Sequence, residues 1–288
     1  MSFIQNENLF TYLAESFDHH SHRRMWWTFN DSFGAESVQE IKPVLETQSV
    51  FRFGELEEFS FSYKDMGSIN SLHLFGLDEL ILFAFYWVNR ELYSRVLDLG
   101  ANIGLHTVVL SKMGFTVTSF EPDPNHMDEL ASNLLRNGLP LDGLKQKAVT
   151  IDGSNVEFIR VLGNTTGSHV AGAKADPHGD LEKFIVESTP IAEAIADVDL
   201  VKMDVEGLEA TLLQAVPLSA YETTDFLVEI GTPENAKKIF DYFEGSKISL
   251  FSQKINWKRV SKFEELPFSH REGSCFISGK TEMNWHLN

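Results

Sequence analysis

Thirteen consecutive residues, Arg95-Val96-Leu97-Asp98-Leu99-Gly100-Ala101-Asn102-Ile103-Gly104-Leu105-His106-Thr107, constrain the fold of this chain more than any other stretch. Val96, Leu97 and Leu99 suit a strand covered on both faces. Gly100 and Gly104 keep side chains away from a place where a ligand must approach the backbone. Leu105, Val108, Val109 and Met113 then recur at helical spacing. A buried strand, a glycine turn and a helix start in that order belong to an open α/β sheet. Ligands of such sheets bind outside the carboxyl ends of the strands, where Asp98, Gly100 and the first helical turn fall. The turn predicts a nucleoside site.

The pattern D-x-G-x-N-x-G narrows the nucleoside. A dinucleotide fold requires G-x-G-x-x-G, whose middle glycine lets a helix N-terminus close on a pyrophosphate. Its absence argues against a nicotinamide-dependent oxidoreductase. An acid just before the first glycine repels a diphosphate, but it pairs well with the ammonium of an amino-acid head group. The second strand, Thr116 to Phe120, ends at Glu121, which can accept both hydroxyls of an adenosine ribose. Asp98, Gly100 and Glu121 together describe S-adenosylmethionine. Gly104 and Pro122 are placed with this cofactor set, Asn102 and Thr107 at the methionine part, and the adenine near Lys147 and Ala148. A doubly wound domain holding another nucleotide, or none, is the structural alternative.

Composition removes other classes. The 288 residues suffice for a large core. Lys plus Arg total 24 against 42 Asp plus Glu, and the resulting net charge of −18 repels a phosphate backbone, so no nucleic-acid partner is expected. Arg23-Arg24 is too small a basic cluster to reverse that. Cys275 is the only cysteine, which excludes an intrachain disulfide and a cysteine-rich metal site. The stretch Met1 to Asn8 lacks the basic start and apolar core of a signal peptide. Both features point to the cytoplasm. The longest apolar run, Leu80 to Val88, is too short to span a bilayer.

Residues 1 to about 70 are aromatic and irregular, with a candidate strand at Glu58 to Tyr63, and read as an appended cap. From Asp78 to Leu92 the residues Leu80, Ile81, Ala84, Val88 and Leu92 form a helical stripe. Leu82, Phe83, Tyr86 and Trp87 make that helix apolar almost all round, as at a boundary between layers or at an interface. This helix and the cap are the places where a homo-oligomer would form. Pro122-Asp123-Pro124 opens a helix that Gly138 stops. Further strands are predicted at Lys145 to Val149, Val156 to Val161, Phe184 to Ser188, Leu200 to Asp204 and Asp225 to Ile230. Ile248 to Phe251 and Cys275 to Ser278 suggest an antiparallel pair closing the sheet. The polar loop Gly163 to Asp180 is long enough to be functional or mobile.

Three runs, V-L-D-L-G-A-N-I-G, F-E-P-D and K-M-D-V-E-G-L-E, resemble the FkbM-type family of S-adenosylmethionine-dependent methyltransferases over about residues 77 to 232. The D-x-E-G-x-E run after the fourth strand is the specific part of the likeness. The resemblance implies a Rossmann-like sheet of seven mostly parallel strands with the last antiparallel, and helices on both faces. It also implies methyl transfer mainly to hydroxyl oxygens of small molecules, sugars or polyketides. The division expected is a cap or substrate segment at 1–76 and a methyltransferase domain at 77–288.

Chemistry at the residues agrees with that family. The sulfonium of S-adenosylmethionine is already activated, so the protein must hold an oxygen in line with the methyl carbon, and a positioned base can remove the alcohol proton. Asp204 and Glu206, at the carboxyl end of the fourth strand, are candidates to be that base or to orient the acceptor. Capping of the next helix is their alternative. Glu229 ends the neighbouring strand as a pocket acid, and with Asp204 and Glu206 it could gather a divalent cation for a metal-assisted O-methyltransferase. His106 either reaches cofactor or acceptor, or lies on the helix surface. His169 lies in a loop that could close over the site, with a solvated loop histidine as the plainer account. Asp18-His19-His20-Ser21-His22 is too contiguous to converge on one ion. Trp26, Trp27, Phe29 and Phe33 either line an acceptor pocket or anchor the cap. A non-catalytic module using that cap to hold a partner is the rival from outside enzymology.

Overall fold

A computed structural model describes residues 3–16, 39–174 and 179–286. The chain enters through α1 (Leu9–Glu15), α2 (Lys42–Glu46) and the hairpin of β1 (Phe51–Phe53) with β2 (Leu56–Phe59). Next come α3 (Leu77–Val88), β3 (Arg95–Leu99), α4 (Leu105–Lys112), β4 (Thr116–Phe120) and α5 (Pro124–Arg136). Five short strands follow: β5 (Leu144–Lys145), β6 (Ala148–Thr150), β7 (Val156–Val161), β8 (His169–Val170) and β9 (Leu181–Val186). The rest is β10 (Ser188–Pro190), α6 (Ile191–Ala194), β11 (Leu200–Met203), α7 (Glu209–Ala215), β12 (Asp225–Glu229), α8 (Pro233–Phe243), β13 (Ser249–Ser252), β14 (Lys258–Arg259) and β15 (Ser274–Ser278).

The central sheet has eight strands in the order β14-β13-β15-β12-β11-β3-β4-β5. β12, β11, β3, β4 and β5 run parallel, and β15 inserts antiparallel between β12 and β13. The expectation was seven strands. The additional one is the two-residue β14, which folds back on β13 at the edge. The third strand expected at Lys145 to Val149 is two pieces. β5 joins the main sheet, then the chain turns at Lys147, and β6 pairs with β10 in a separate two-stranded sheet.

Alternation of side chains along each strand divides the core into two layers. Leu97, Leu99, Val201, Met203, Phe226 and Val228 pack on one face with residues of α6, α7 and α8. Val96, Leu200, Leu227 and Phe276 pack on the other with α3 and α4. Asp98 and Lys202 share that second face and stand side by side in register. A charged pair thus lies in the middle of an otherwise apolar row.

α3 has nine of its twelve residues buried inside the chain, which fits a helix between two layers. It ends at Val88 rather than Leu92, because Asn89 turns its amide back to the Phe85 carbonyl at 2.9 Å. Leu92 is exposed. The described part of the N-terminal segment joins the same core layer as α3 and α4. Phe53 anchors it, with ring centroids 4.9 to 5.8 Å from Phe10, Phe59, Phe75 and Phe83. Trp26, Trp27, Phe29, Phe33, Arg23, Arg24 and the cluster Asp18 to His22 lie outside the described residues. Phe53→Ala is expected to lower unfolding free energy by about 3–5 kcal/mol in urea titrations. A loss under about 1 kcal/mol would show that this aromatic layer is dispensable.

Candidate functional site

The glycine turn is closed from behind by backbone. Gly100 has φ +75°, and a Cβ there would lie 1.8 Å from the Asp204 carbonyl oxygen, so only glycine lets β3 and β11 end this close together. Asn102 follows with φ 53°, and its own side-chain oxygen accepts from the Ile103 N–H at 2.7 Å. Asparagine tolerates that left-handed geometry for this reason. A cleft with about 620 Å³ of empty space, open to solvent, lies in front of the turn. Gly100, Asn102, Glu121, Pro122, Lys147 and Ala148 line it, and Asp204 and Glu206 close its far side.

Glu121 sits at the end of β4, where its two oxygens accept from the backbone N–H groups of Asn102 and Asp123, each at 2.8 Å. Burial pushes its pKa up to about 8 in spite of those bonds, with Asp123 and Asp98 adding to the rise. Each oxygen keeps a lone pair for a further donor. Asp98 is wholly buried and appears in the wall of neither cleft. Its Oδ2 accepts from Thr107 Oγ1 at 2.7 Å, while its Oδ1 has no hydrogen-bond partner. Thr107 therefore orients Asp98 and does not line the cleft. Gly104 serves packing, since a Cβ there would come within 2.6 Å of Leu130.

A second space of about 1300 Å³, also open to solvent, adjoins the first and shares Asn102, Thr166, Asp204 and Glu206 with it. Glu79, Lys202 and Glu229 line it. Lys202 is its charge centre, with Nζ 3.7 Å from Asp98 Oδ1, 3.7 Å from Asp204 Oδ2 and 3.5 Å from the Gly100 carbonyl. Burial alone would lower its ammonium pKa, but Asp204, Asp98, Glu79 and Glu229 hold it well above the usual value. Glu229 is also pushed up, far above a normal carboxyl, by burial and by Asp204, Glu79 and Glu206. Glu206 is ion-paired to Lys174, yet burial and the nearby Asp204 push it up to about 7.

The turn D-V-E-G-L-E resolves the capping question. Helix α7 begins at Glu209, and its N-cap residue Leu208 makes no side-chain cap. Asp204 and Glu206 therefore do not cap it. Glu209 is the structural acid, accepting from the Gly207 N–H at 2.9 Å and from Asn235 Nδ2 of α8 at 2.7 Å. Burial pushes its pKa up to about 7. No group of three His, Cys, Asp or Glu side chains among the described residues is arranged to hold a metal ion.

Residues 98–246, a little over half of the 288, match the methyltransferase FkbM domain. The chain belongs to the FkbM methyltransferase family. A hexuronic acid methyltransferase, AglP of Haloferax volcanii, is 25% identical over 161 residues, covering 55% of this chain and 65% of that protein. Among solved structures, WbdD is similar at a TM-score of 0.39 and 13% identity, over 72% of this chain and 41% of that one. The ribosomal protein L11 methylase of Lactobacillus delbrueckii subsp. bulgaricus gives a TM-score of 0.35 at 12% identity, over 67% and 75%. Likenesses at such TM-scores carry no weight for activity.

Within this FkbM chain two histidines differ from their sequence reading. His169 is buried and lines the first cleft; Nδ1 donates to the Gly167 carbonyl at 3.0 Å, and burial keeps its pKa below the usual value. His106 is buried and lines neither cleft. It contacts Glu79 Oε2 at 2.7 Å and the Tyr86 hydroxyl at 3.0 Å. Sequence reading missed Glu79, Tyr86 and Lys202. The one available signal was the lysine two residues before Asp204, a charge pointing the same way as Asp98 along a buried strand.

The raised acids predict a pH dependence of stability. Glu121, Glu206, Glu209 and Glu229 bind protons more tightly folded than unfolded. Their contribution is full below the ordinary carboxyl range, and that of Glu121, Glu206 and Glu209 is lost as pH rises through about 7 to 8. The lowered Glu79 and Asp123 act only at more acid pH. The ligand-free protein should therefore melt at a lower temperature at pH 8.5 than at pH 6.5, and Glu209→Gln should flatten that fall. A melting temperature that rises across this interval would contradict the assignment.

Proposed function

We propose that this protein transfers a methyl group from S-adenosylmethionine to a hydroxyl of a small-molecule, sugar or polyketide-like acceptor. The observation that carries the reading is the junction of the two clefts at Asn102, Thr166, Asp204 and Glu206. A nucleoside in the first would meet an acceptor in the second beside Asp204. The lining fits the cofactor at Glu121, which retains acceptor capacity for ribose hydroxyls. S-adenosylmethionine, when bound, supplies an already activated methyl on a sulfonium. The chain's own part is then to orient and desolvate the acceptor oxygen.

Asp204 orients that oxygen, because it borders both clefts and is fixed against Lys202. Glu206 and Glu229 bond the acceptor's other hydroxyls, and the raised pKa of Glu229 makes it a donor near neutrality. The name of the archaeal relative supports a sugar as one acceptor class. The net charge of −18 favours a small molecule over nucleic acid. Cys275 is free and buried, in keeping with a cytoplasmic reaction, and no helix of the described residues is long and apolar enough to cross a membrane.

Calorimetric titration with S-adenosylmethionine tests the first cleft. Glu121→Gln should weaken binding about tenfold or more, which is about 1.4 kcal/mol. Asp204→Asn should bind the cofactor within about threefold of the parent and lose roughly 100-fold in methyl transfer. A parent protein that takes up no S-adenosylmethionine would sink the reading, and full turnover by Asp204→Asn would remove that residue from the reacting centre.

A further inference from the structure

We propose that Glu79 takes the proton of the acceptor hydroxyl, and that a hydrogen-bond chain from Tyr86 through His106 holds it in position. The proposal rests on the methyltransferase reading above and adds a residue to it. Glu79 stands in the first turn of α3, with its side chain 28% exposed at the wall of the second cleft. Behind it His106 is 9% exposed by side chain and Tyr86 is fully buried. The chain therefore leads from the core to the cavity.

Its direction follows from proton counting. Burial, with Asp98 and Glu79 nearby, keeps Tyr86 a phenol at any ordinary pH. The Glu79 carboxylate can only accept, so His106 Nε2 carries the ring proton and donates to Glu79 Oε2 at 2.7 Å. In the neutral ring Nδ1 is then bare and accepts from the Tyr86 O–H at 3.0 Å. Phe83, buried and with its ring centroid 4.9 Å from that of His106, blocks the imidazole from turning. Glu79 keeps Oε1, which accepts no hydrogen bond from the described residues, for a hydroxyl in the cleft.

The neighbouring carboxyls are otherwise engaged. Glu206 is paired with Lys174, Asp204 shares Lys202 with Asp98, and Glu229 is held protonated. Burial raises the Glu79 carboxyl, and against it the His106 N–H and the charge of Lys202 favour the ionised form that accepts a proton. In the step, the acceptor O–H bond breaks and its proton goes to Oε1. The oxygen's electron pair forms the new O–C bond, and the pair of the breaking S–C bond stays on sulfur. One carboxylate and one sulfonium become a neutral carboxyl and a neutral thioether. The proton then leaves to solvent at the mouth of the cleft.

Two measurements on the full chain test this. In nitrogen-15 spectra of histidine-labelled protein at pH 7.5, with His106 assigned by its loss in His106→Gln, Nε2 should carry the proton and Nδ1 should be bare. A bare Nε2 overturns the proposal by itself, and this readout needs no acceptor. With S-adenosylmethionine and neutral methyl hexopyranosides as probes, Glu79→Gln should bind cofactor within about threefold of the parent and lose at least about 100-fold in kcat. Glu79→Asp should recover part of that loss, and Tyr86→Phe should lower kcat severalfold at unchanged cofactor affinity. Parental turnover by Glu79→Gln overturns the proposal and leaves the methyltransferase reading standing, whereas absent cofactor binding by the parent protein removes that reading first.

Discussion

A lysine and an aspartate stand side by side in the centre of the sheet, on the face that α3 and α4 cover. Much of the site follows from that placement. Removing one partner of a buried ion pair typically costs about 3–5 kcal/mol, because the other is left charged without compensation. Asp98 and Lys202 are therefore fixed to each other. The lysine is also fixed to Asp204 and the Gly100 carbonyl at the strand ends. Its one positive charge is surrounded by Asp98, Asp204, Glu79 and Glu229. The surplus of negative charge must be relieved by protonation or by further donors. Glu229 answers by protonation and Glu79 by the imidazole of His106.

The same placement explains what could be read from the chain. A strand, turn and helix are local, so the β3 to α4 stretch, Thr116–Phe120 and the cap at Asp123 were all legible. Asp123 accepts from the Asn125 N–H just ahead of Pro124, as that local pattern requires. Glu121 at the strand end was legible for the same reason. Long-range pairings were not. The break after Lys145 arises because β6 finds its partner at Ser188 to Pro190, some forty residues along the chain. The edge strand β14 depends on a tight reversal at Asn256 and Trp257, both with positive φ, which tryptophan gives no reason to expect.

Glu79 and His106 show the limit more sharply. Glu79 is only an acid in a first turn, and His106, a candidate for cofactor or acceptor contact, carries no sign of its actual partners. Their meaning comes only from the crossing of α3 over α4, which brings them 2.7 Å apart. Lys202 offered a faint signal, since a charge between Val201 and Met203 in a buried strand requires a partner. His169 misled in the opposite direction. A polar, glycine-containing stretch suggested solvent, whereas Thr165–Gly167 forms a helical turn and His169–Val170 pairs with β7.

That segment also gives the N-terminal residues a purpose. Gly67 approaches the segment so closely that a Cβ would lie 1.9 Å from the Gly163 carbonyl oxygen, and Thr165 N–H donates to Met66. From α5, His126 meets the Thr165 hydroxyl at 2.9 Å. From the other side, Lys174 pairs with Glu206, and Gly207 leaves room for the Ala173 carbonyl at 2.6 Å from where its Cβ would be. Backbone contacts of this kind tolerate no intervening side chain, so the segment is held at both ends by glycines. Between the two clamps lies Thr166, which lines both clefts. The N-terminal chain thus seats a wall common to both spaces. Excluding water where two ligands meet depends on that wall as much as on the carboxylates beneath it.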